Sequence, residues 1–236
     1  MTLQAVTALG PNTLGPLGDM VDHLRSRGHD LEVGDPIVAA EHRYEGIDLL
    51  WACGLLTMEL MADGLDLVVS LGPVFEGQSA ALYHSVIITR ADPVGSIRPG
   101  RRLAVNDYGS WSGYRGLLHH SAAGGRYQPA RSADIVLTGS HVASVNAVAR
   151  GEADMAAIDS TVWDWLSERE PHLATEVDVV GRTVDWPAPP VSIGPGVDPG
   201  LRAGLVSDLL DFAGPPTLVP ASPDAYRFMA DFSEKA

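Results

Sequence analysis

Lysine is almost absent from this 236-residue chain: Lys235 is the only one, and Lys and Arg together number 16 against 30 Asp and Glu, a formal charge of −14. Nucleic-acid binding relies on clustered cations that neutralise phosphates, so the scattered arginines here exclude it as an expected partner. Cysteine is nearly absent too. Cys53 stands alone, which rules out an intrachain disulfide and a cysteine-rich metal centre. It lies in the apolar run Leu49–Leu56 and reads as a packed small hydrophobe rather than a reactive thiol. No apolar stretch approaches the roughly 20 residues that span a bilayer, so no membrane span is expected. The first residues, Met1–Val6, enter an apolar strand with no basic n-region, apolar h-region or cleavage site. Location stays open between the cytoplasm and, were a leader removed, the periplasm or the outside of the cell.

What is present is ordinary for a folded protein, 45% hydrophobic and 19% charged, at a length where one core tends to split in two. Strand-length apolar runs alternate with helix-period segments, which predicts a largely parallel α/β sheet. Leu3–Leu9 is expected as a strand, followed by a helix whose face is Leu14, Leu17, Val21 and Leu24, ending near Arg25, Arg27 and Gly28. Leu65–Leu71 and Ser85–Thr89 are further strands. The pattern restarts after Asp92-Pro93 with three strand–helix units: Arg101–Asn106 with Ser112–Ser121, Asp134–Leu137 with His141–Arg150, and Asp154–Ile158 with Thr161–Glu168. Val177–Gly181 reads as a strand, Trp186–Pro190 as too rich in proline for a central strand or helix, and Val191–Ile193 as a short strand. A helix over 199–212 carries the stripe Leu201, Leu205, Val206, Leu209 and Leu210. The tail from Pro215 is expected as loop with a short helix around Ala225–Phe232.

This order predicts a discontinuous first lobe, 1–90 plus 185–236, with a second lobe, 91–184, inserted into it. Two chain crossings would then form a hinge, with a ligand cleft between the lobes.

One window, Tyr83 to Leu166, carries a connected set of motifs. It runs Tyr83-His84-Ser85-Val86-Ile87-Ile88 with Arg90, then Arg102-Leu103-Ala104-Val105-Asn106-Asp107 and Ser110-Trp111-Ser112-Gly113-Tyr114. Gly139-Ser140-His141 with Ser144 and Ala147-Val148 follows, then Gly151-Glu152-Ala153-Asp154 through Ala157-Ile158-Asp159-Ser160. In order and spacing it resembles the phosphate, phosphite and phosphonate substrate-binding proteins of ABC importers. The resemblance implies the type 2 periplasmic-binding-protein fold, a two-lobed α/β architecture with an interlobe ligand cleft and two hinge crossings. It also implies a small-molecule ligand, an ABC permease as partner, and neither cofactor nor metal.

The residues support such a site on their own chemistry. A strand ending at Asn106 and a Ser-x-Ser-Gly turn opening a helix would offer backbone N–H groups and the hydroxyls of Ser110 and Ser112 to an oxyanion. Gly113 is expected to admit close approach of a ligand. Simple N-capping by either serine is the competing reading. Trp111 stands where the relatives usually carry a small polar residue, often Thr; an indole there can stack on a flat ligand, wall off a pocket or sit on the surface. His141 opens a helix after Gly139-Ser140 and would donate to an anion, whereas Ser140 capping with His141 in solvent is the plainer alternative. Asp159 would accept a hydrogen bond from a protonated anion or an ammonium group, or else cap its helix with Ser160. The relatives bring an aromatic to the ligand at the position of Tyr83. Tyr114, Ser85, Cys53 and Gly54 complete the candidate ligand-binding set, with Glu76 near the mouth. The pair His119-His120 reads as surface or core-edge, and Arg90, Arg102 and Arg115 as surface or hinge charges.

Two functions follow from different classes. The first is a solute-binding protein closing on a small, anionic ligand, phosphonate- or phosphate-like or a carboxylate, with no catalytic residue; a monomer is the default. The second is a cytoplasmic enzyme, since the same fold serves menaquinone-pathway and thiamine-pyrimidine enzymes. His141, His84, Asp159 and Glu76 would then be acid–base candidates acting on a small aromatic or phosphorylated metabolite. No nucleophile–base spacing, zinc-protease helix or phosphate loop is present.

Overall fold

Along its first strand the chain sends successive side chains to two different apolar clusters, which already requires helices on both faces of a sheet. Leu3 and Ala5 join one cluster, and Val6 joins the other. The computed structural model describes residues 2–9, 14–36, 46–61, 66–71, 81–90, 102–126, 134–213 and 218–233. Its elements begin β1 (Leu3–Thr7), α1 (Leu14–Ser26), β2 (Leu31–Val33), β3 (Leu49–Trp51), α2 (Gly54–Met61), β4 (Asp66–Leu71), β5 (Leu82–Tyr83) and β6 (Ser85–Arg90). β7 (Arg102–Val105) is followed by a π turn (Trp111–Arg115) that runs into α3 (Gly116–Ala122). Then come β8 (Asp134–Leu137), α4 (His141–Ala149), β9 (Met155–Asp159), α5 (Ser160–Arg169) and α6 (Pro171–Ala174). β10 (Val177–Arg182), β11 (Trp186–Pro187), β12 (Pro190–Ile193), α7 (Pro199–Leu210), β13 (Leu218–Pro220) and α8 (Pro223–Ser233) follow. Among the described residues no helix is long and apolar enough to cross a membrane.

The chain forms two compact units, residues 1–82 with 187–236, and Tyr83–Trp186. The first division falls ahead of β6 and not after Arg90, because β6 pairs along its length with β9 and β10 and so belongs to the second unit. The chain crosses between units through β5 and β11, and these two short strands pair with each other.

The first unit holds a six-stranded sheet in the order β13-β4-β12-β3-β1-β2. β1 is parallel to β2 and β3, while β12 runs antiparallel to β3 and β4. The sheet is therefore mixed where the alternation of elements predicted a largely parallel one; the returning strands enter from the opposite end. On one face Leu17, Met20, Val21 and Leu24 of α1 pack with Leu205 and Leu209 of α7. Burying each of four such side chains is worth roughly 1.5–3 kcal/mol. That far exceeds the roughly 1 kcal/mol lost at a helical glycine, so α1 tolerates Gly15 and Gly18. Its end is set by Gly28 at φ 95°, where Gly28 N–H reaches the Arg25 carbonyl (3.0 Å) and His29 N–H reaches that of Leu24 (3.1 Å). On the other face Leu56 and Leu60 of α2 cover Val6, Leu50 and Ala52.

The apolar run Leu49–Leu56 holds both β3 and the start of α2, a break that hydrophobicity alone does not mark. Two sequence expectations need correction here. Pro190 is tolerated in β12, a central strand, because it is the first residue of that strand. In α7 Leu205 and Leu209 are buried, but Leu201 and Leu210 are 36% and 38% exposed, so the stripe is narrower than expected.

The second unit repeats the plan with a five-stranded sheet, order β10-β6-β9-β7-β8. β7, β8 and β9 are parallel, and β6 runs antiparallel to β9 and β10. Val145, Val148, Val162 and Leu166 of α4 and α5 cover one face; Leu117 of α3 covers the other with Ile87, Val105 and Met155.

Tyr226 of α8 is fully buried in the first unit and donates its hydroxyl to the Ala188 carbonyl at 2.7 Å. Tyr226→Phe leaves that carbonyl unpaired and is expected to cost about 1–3 kcal/mol, read as a lower urea midpoint at unchanged slope.

Candidate functional site

Three parallel strands ending on one edge of a sheet bring the helices that follow them to that same edge, N-termini first. β7, β8 and β9 do this in the second unit. β7 leads through Asn106–Ser110 into the π turn and α3, β8 leads through Thr138–Ser140 into α4, and β9 leads directly into α5. Each helix start has its own cap. Ser110 Oγ accepts from Gly113 N–H (3.1 Å), Ser140 Oγ from Ala143 N–H (3.1 Å), and Asp159 Oδ1 from Thr161 N–H (2.9 Å) and the Thr161 hydroxyl (2.7 Å). The first two loops are tied together, since Thr138 N–H and Gly139 N–H reach the carbonyls of Val105 and Asn106 at 2.8 and 3.1 Å. Gly139 takes φ 82°, a conformation that suits glycine.

Around this edge the structure gathers most of the residues singled out from the sequence. Ser85, at the start of β6, lies directly opposite Asp159, at the end of β9. Its hydroxyl donates to the Ser112 carbonyl at 2.8 Å, and its backbone N–H donates to Thr183 Oγ1 at 2.9 Å. Ser112 Oγ in turn sits 3.1 Å from His141 Nε2. Ser85, Ser112, His141, Asp159 and Thr183 are all buried, so this is a dense polar cluster inside the unit.

The capping and site readings divide residue by residue. Ser110 is a cap, and because its oxygen accepts from Gly113 its own O–H remains a donor. Ser112 caps nothing and is paired with His141. Asp159 caps α5 through one oxygen. Ser140 caps α4, yet His141 is only 8% exposed, which excludes the solvent-facing alternative. Burial pushes the His141 imidazole below its ordinary proton affinity, while the Asp159 carboxylate and the Ala157 backbone pull the other way. Nδ1 has no well-formed hydrogen bond. Asp164, on α5, is held above the usual carboxylate range by burial, against the opposing pull of His84 and with Glu168 and Asp159 adding to the rise.

Trp111 is fully buried, which removes the surface reading. It meets Trp186 edge-on at 5.7 Å and tilts against His119 at 5.8 Å, and Trp186 meets Tyr83 edge-on at 6.3 Å. The indole therefore walls the back of the Ser-Trp-Ser turn. Tyr83 is likewise buried. Tyr114 is half-buried between Tyr108 at 5.8 Å and the Arg115 guanidinium at 5.6 Å. Gly113 has a different reason from the one expected: an added Cβ would overlap the Asn106 carboxamide, so the glycine makes room for a side chain of its own loop. Cys53 and Gly54 lie in the first unit, apart from this cluster in the chain's division. The Cys53 carbonyl accepts from Thr57 N–H and Oγ1, both at 3.0 Å, and a Cβ on Gly54 would collide with the Tyr226 ring. Glu76 is outside the described residues.

His120 is buried at the core edge and pairs with the Arg126 carbonyl at 3.1 Å. Arg102 is taken up by Asp154, through Nη2 at 2.7 Å and its backbone N–H at 2.9 Å. Two participants escaped the sequence: Asn106, read only as a strand end, and Thr183, a lone threonine 98 positions from the serine it holds.

Residues 36–226 match the family described as ABC transporter, phosphonate, periplasmic substrate-binding protein. Among solved structures, the binding-protein component of an ABC phosphonate transporter from Pseudomonas aeruginosa is 15% identical, with 99% of this chain and 87% of that one covered and a TM-score of 0.77. PhnD1 from Prochlorococcus marinus, in complex with methylphosphonate, is 14% identical over 99% and 97% of the two chains, TM-score 0.76. A Xanthomonas citri protein bound to chloride ion is 21% identical over 99% and 96%, TM-score 0.68. At these identities the likeness is one of fold, the two-lobed type 2 periplasmic-binding-protein architecture. Comparison with curated proteins gives no match.

Gly113→Ala is expected to destabilise the protein by about 1–3 kcal/mol through overpacking. Adding Asn106→Ala to that variant should recover most of the loss in thermal melts. A loss unchanged by the second substitution would place the pressure on Gly113 elsewhere.

Proposed function

The chain belongs to the phosphonate periplasmic substrate-binding proteins of ABC transporters, and from that premise we propose that the polar edge of its second unit receives a small phosphorus oxyanion for delivery to an ABC permease. The observation that carries the proposal is the convergence of three helix N-termini on one edge lined by Ser110, Ser112 and His141. Helix N-termini present N–H groups and positive potential to an anion, so the site needs no lysine. Hydroxyl and amide donors also suit a tetrahedral oxyanion, whose several oxygens spread the charge over several bonds.

Asp159 sets a condition on the ligand. A buried carboxylate beside the site opposes a fully ionised phosphate and favours a partner that can donate to it. A singly protonated phosphonate meets that condition through its P–OH, and an aminoalkylphosphonate meets it through its ammonium group. Trp111 and Tyr83 belong to the packed ring group, so the ligand is held by polar contacts at the helix starts and not by stacking on those rings.

The test is a thermal-shift screen with phosphite, methylphosphonate, aminoethylphosphonate, phosphate, methanesulfonate and benzoate. At 100 times its dissociation constant a ligand should add about 2.7 kcal/mol, a shift of several degrees. Selective shifts by phosphonates or phosphite are expected. Ser112→Ala should weaken the bound oxyanion by about 1–3 kcal/mol, roughly 5- to 150-fold in Kd. Absence of any shift with the phosphorus oxyanions would sink the proposal.

A further inference from the structure

We propose that Ser85 is a positioning residue whose hydroxyl holds the Ser-Trp-Ser turn in π register and so aims the Ser110 and Ser112 hydroxyls. This rests on the reading of the second-unit edge as the oxyanion site.

The register of the turn leaves one carbonyl over. Arg115 N–H reaches the Ser110 carbonyl at 2.9 Å, and Gly116 N–H reaches that of Trp111, each five residues back. The π run closes at Arg115, and α3 continues in the four-residue spacing, with Ala123 N–H on the His119 carbonyl at 3.0 Å. In that spacing Leu117 N–H falls to the Gly113 carbonyl, and the helix passes over the Ser112 carbonyl. Ser112 is only 4% exposed, so water is a poor substitute, and an unpaired buried carbonyl is costly. The Ser85 hydroxyl fills the gap at 2.8 Å.

Ser85 can do this because its backbone is fixed from two sides. On β6 it lies opposite Asp159 of β9. On the returning chain Thr183 Oγ1 accepts from Ser85 N–H at 2.9 Å, and Thr183 N–H donates to the Ser85 carbonyl at 3.0 Å. Ser85 and Thr183 are both buried, which keeps water out of these bonds. A serine has one O–H, and here it is committed to the Ser112 carbonyl. Ser85 therefore acts on a ligand through the turn and not by touching it.

The competing arrangement is specific. Were Gly116 N–H to leave the Trp111 carbonyl for that of Ser112, the turn would become ordinary α-helix. Removing the extra residue of a π turn rotates the preceding chain by about 100° and shifts it by about 1.5 Å along the helix. The Ser110 and Ser112 hydroxyls would then point away from their present directions. With the Ser85 hydroxyl in place the Ser112 carbonyl has its partner, and nothing draws Gly116 N–H to it.

The experiment combines NMR couplings transmitted through hydrogen bonds, amide nitrogen to carbonyl carbon, with titration calorimetry of methylphosphonate. It compares wild type with Ser85→Ala. In wild type Gly116 is expected to couple to Trp111, and no amide to Ser112. In Ser85→Ala the Gly116 coupling should move to Ser112, and methylphosphonate affinity should fall about tenfold, set by the share of molecules that keep the π register. A hydroxyl with a merely stabilising role would lower the melting temperature and leave register and affinity alone. A folded variant that keeps either the π register or the wild-type affinity overturns the inference and leaves the proposed function standing. Failure of wild type to bind methylphosphonate, phosphite or phosphate sinks both. Should Ser85→Ala not fold, the wild-type couplings decide. A coupling from Gly116 or Leu117 into the Ser112 carbonyl overturns the inference, and its absence in free and methylphosphonate-bound protein supports it.

Discussion

The antiparallel pairing of β6 with β9 is the contact on which the second unit turns. It puts the first residue of the entering strand, Ser85, opposite the last residue of the central strand, Asp159. A parallel entry would have left Ser85 at the far edge of the sheet, away from every helix start. From its actual place Ser85 reaches the Ser112 carbonyl and is itself held by Thr183 on the returning chain. A single register thus links the entering segment, the central strand, the Ser-Trp-Ser turn and the exit toward β11. The polar cluster is buried, where an unpaired group costs about 1–3 kcal/mol, so its members fix one another's positions.

The electrostatic design follows from what the chain does without. Arg102 is engaged by Asp154 at the far ends of β7 and β9, and the Arg115 guanidinium by the Tyr108 carbonyl, so at this edge the helix starts and hydroxyls are the donors in place. These sources are fixed in direction, unlike a lysine on a flexible stem. Asp159 is fixed as well, because its Oδ1 caps α5 by accepting from both the Thr161 N–H and the Thr161 hydroxyl.

Much of this was legible in the sequence, for physical reasons. β8, α4, β9 and α5 begin and end within a residue or two of expectation, because each is bounded by a cap, a glycine or a proline. Ser110, Ser112, His141 and Asp159, singled out by family spacing, all fall in the second unit, next to the starts of its helices. What could not be read was of two kinds. Short elements inside apolar runs, such as β3 and the start of α2, have no break in hydrophobicity. Side-chain partners distant in sequence, such as Thr183 to Ser85, leave no local mark at all.

The glycines carry a further lesson about how the turn is held. Gly113 is expected from the sequence to open space toward a ligand, yet the volume beside it is filled by Asn106, as the volume beside Gly54 is filled by Tyr226. A glycine packed against a side chain fixes backbone position more tightly than one facing open space, since neither partner can shift without losing contact. Trp111, a residue of the turn itself, is fully buried against Trp186 while Ser110 and Ser112 flank it. The turn is therefore held at two points, by the Asn106 carboxamide packed on Gly113 and by its own buried indole, and both fix the backbone that carries the two hydroxyls.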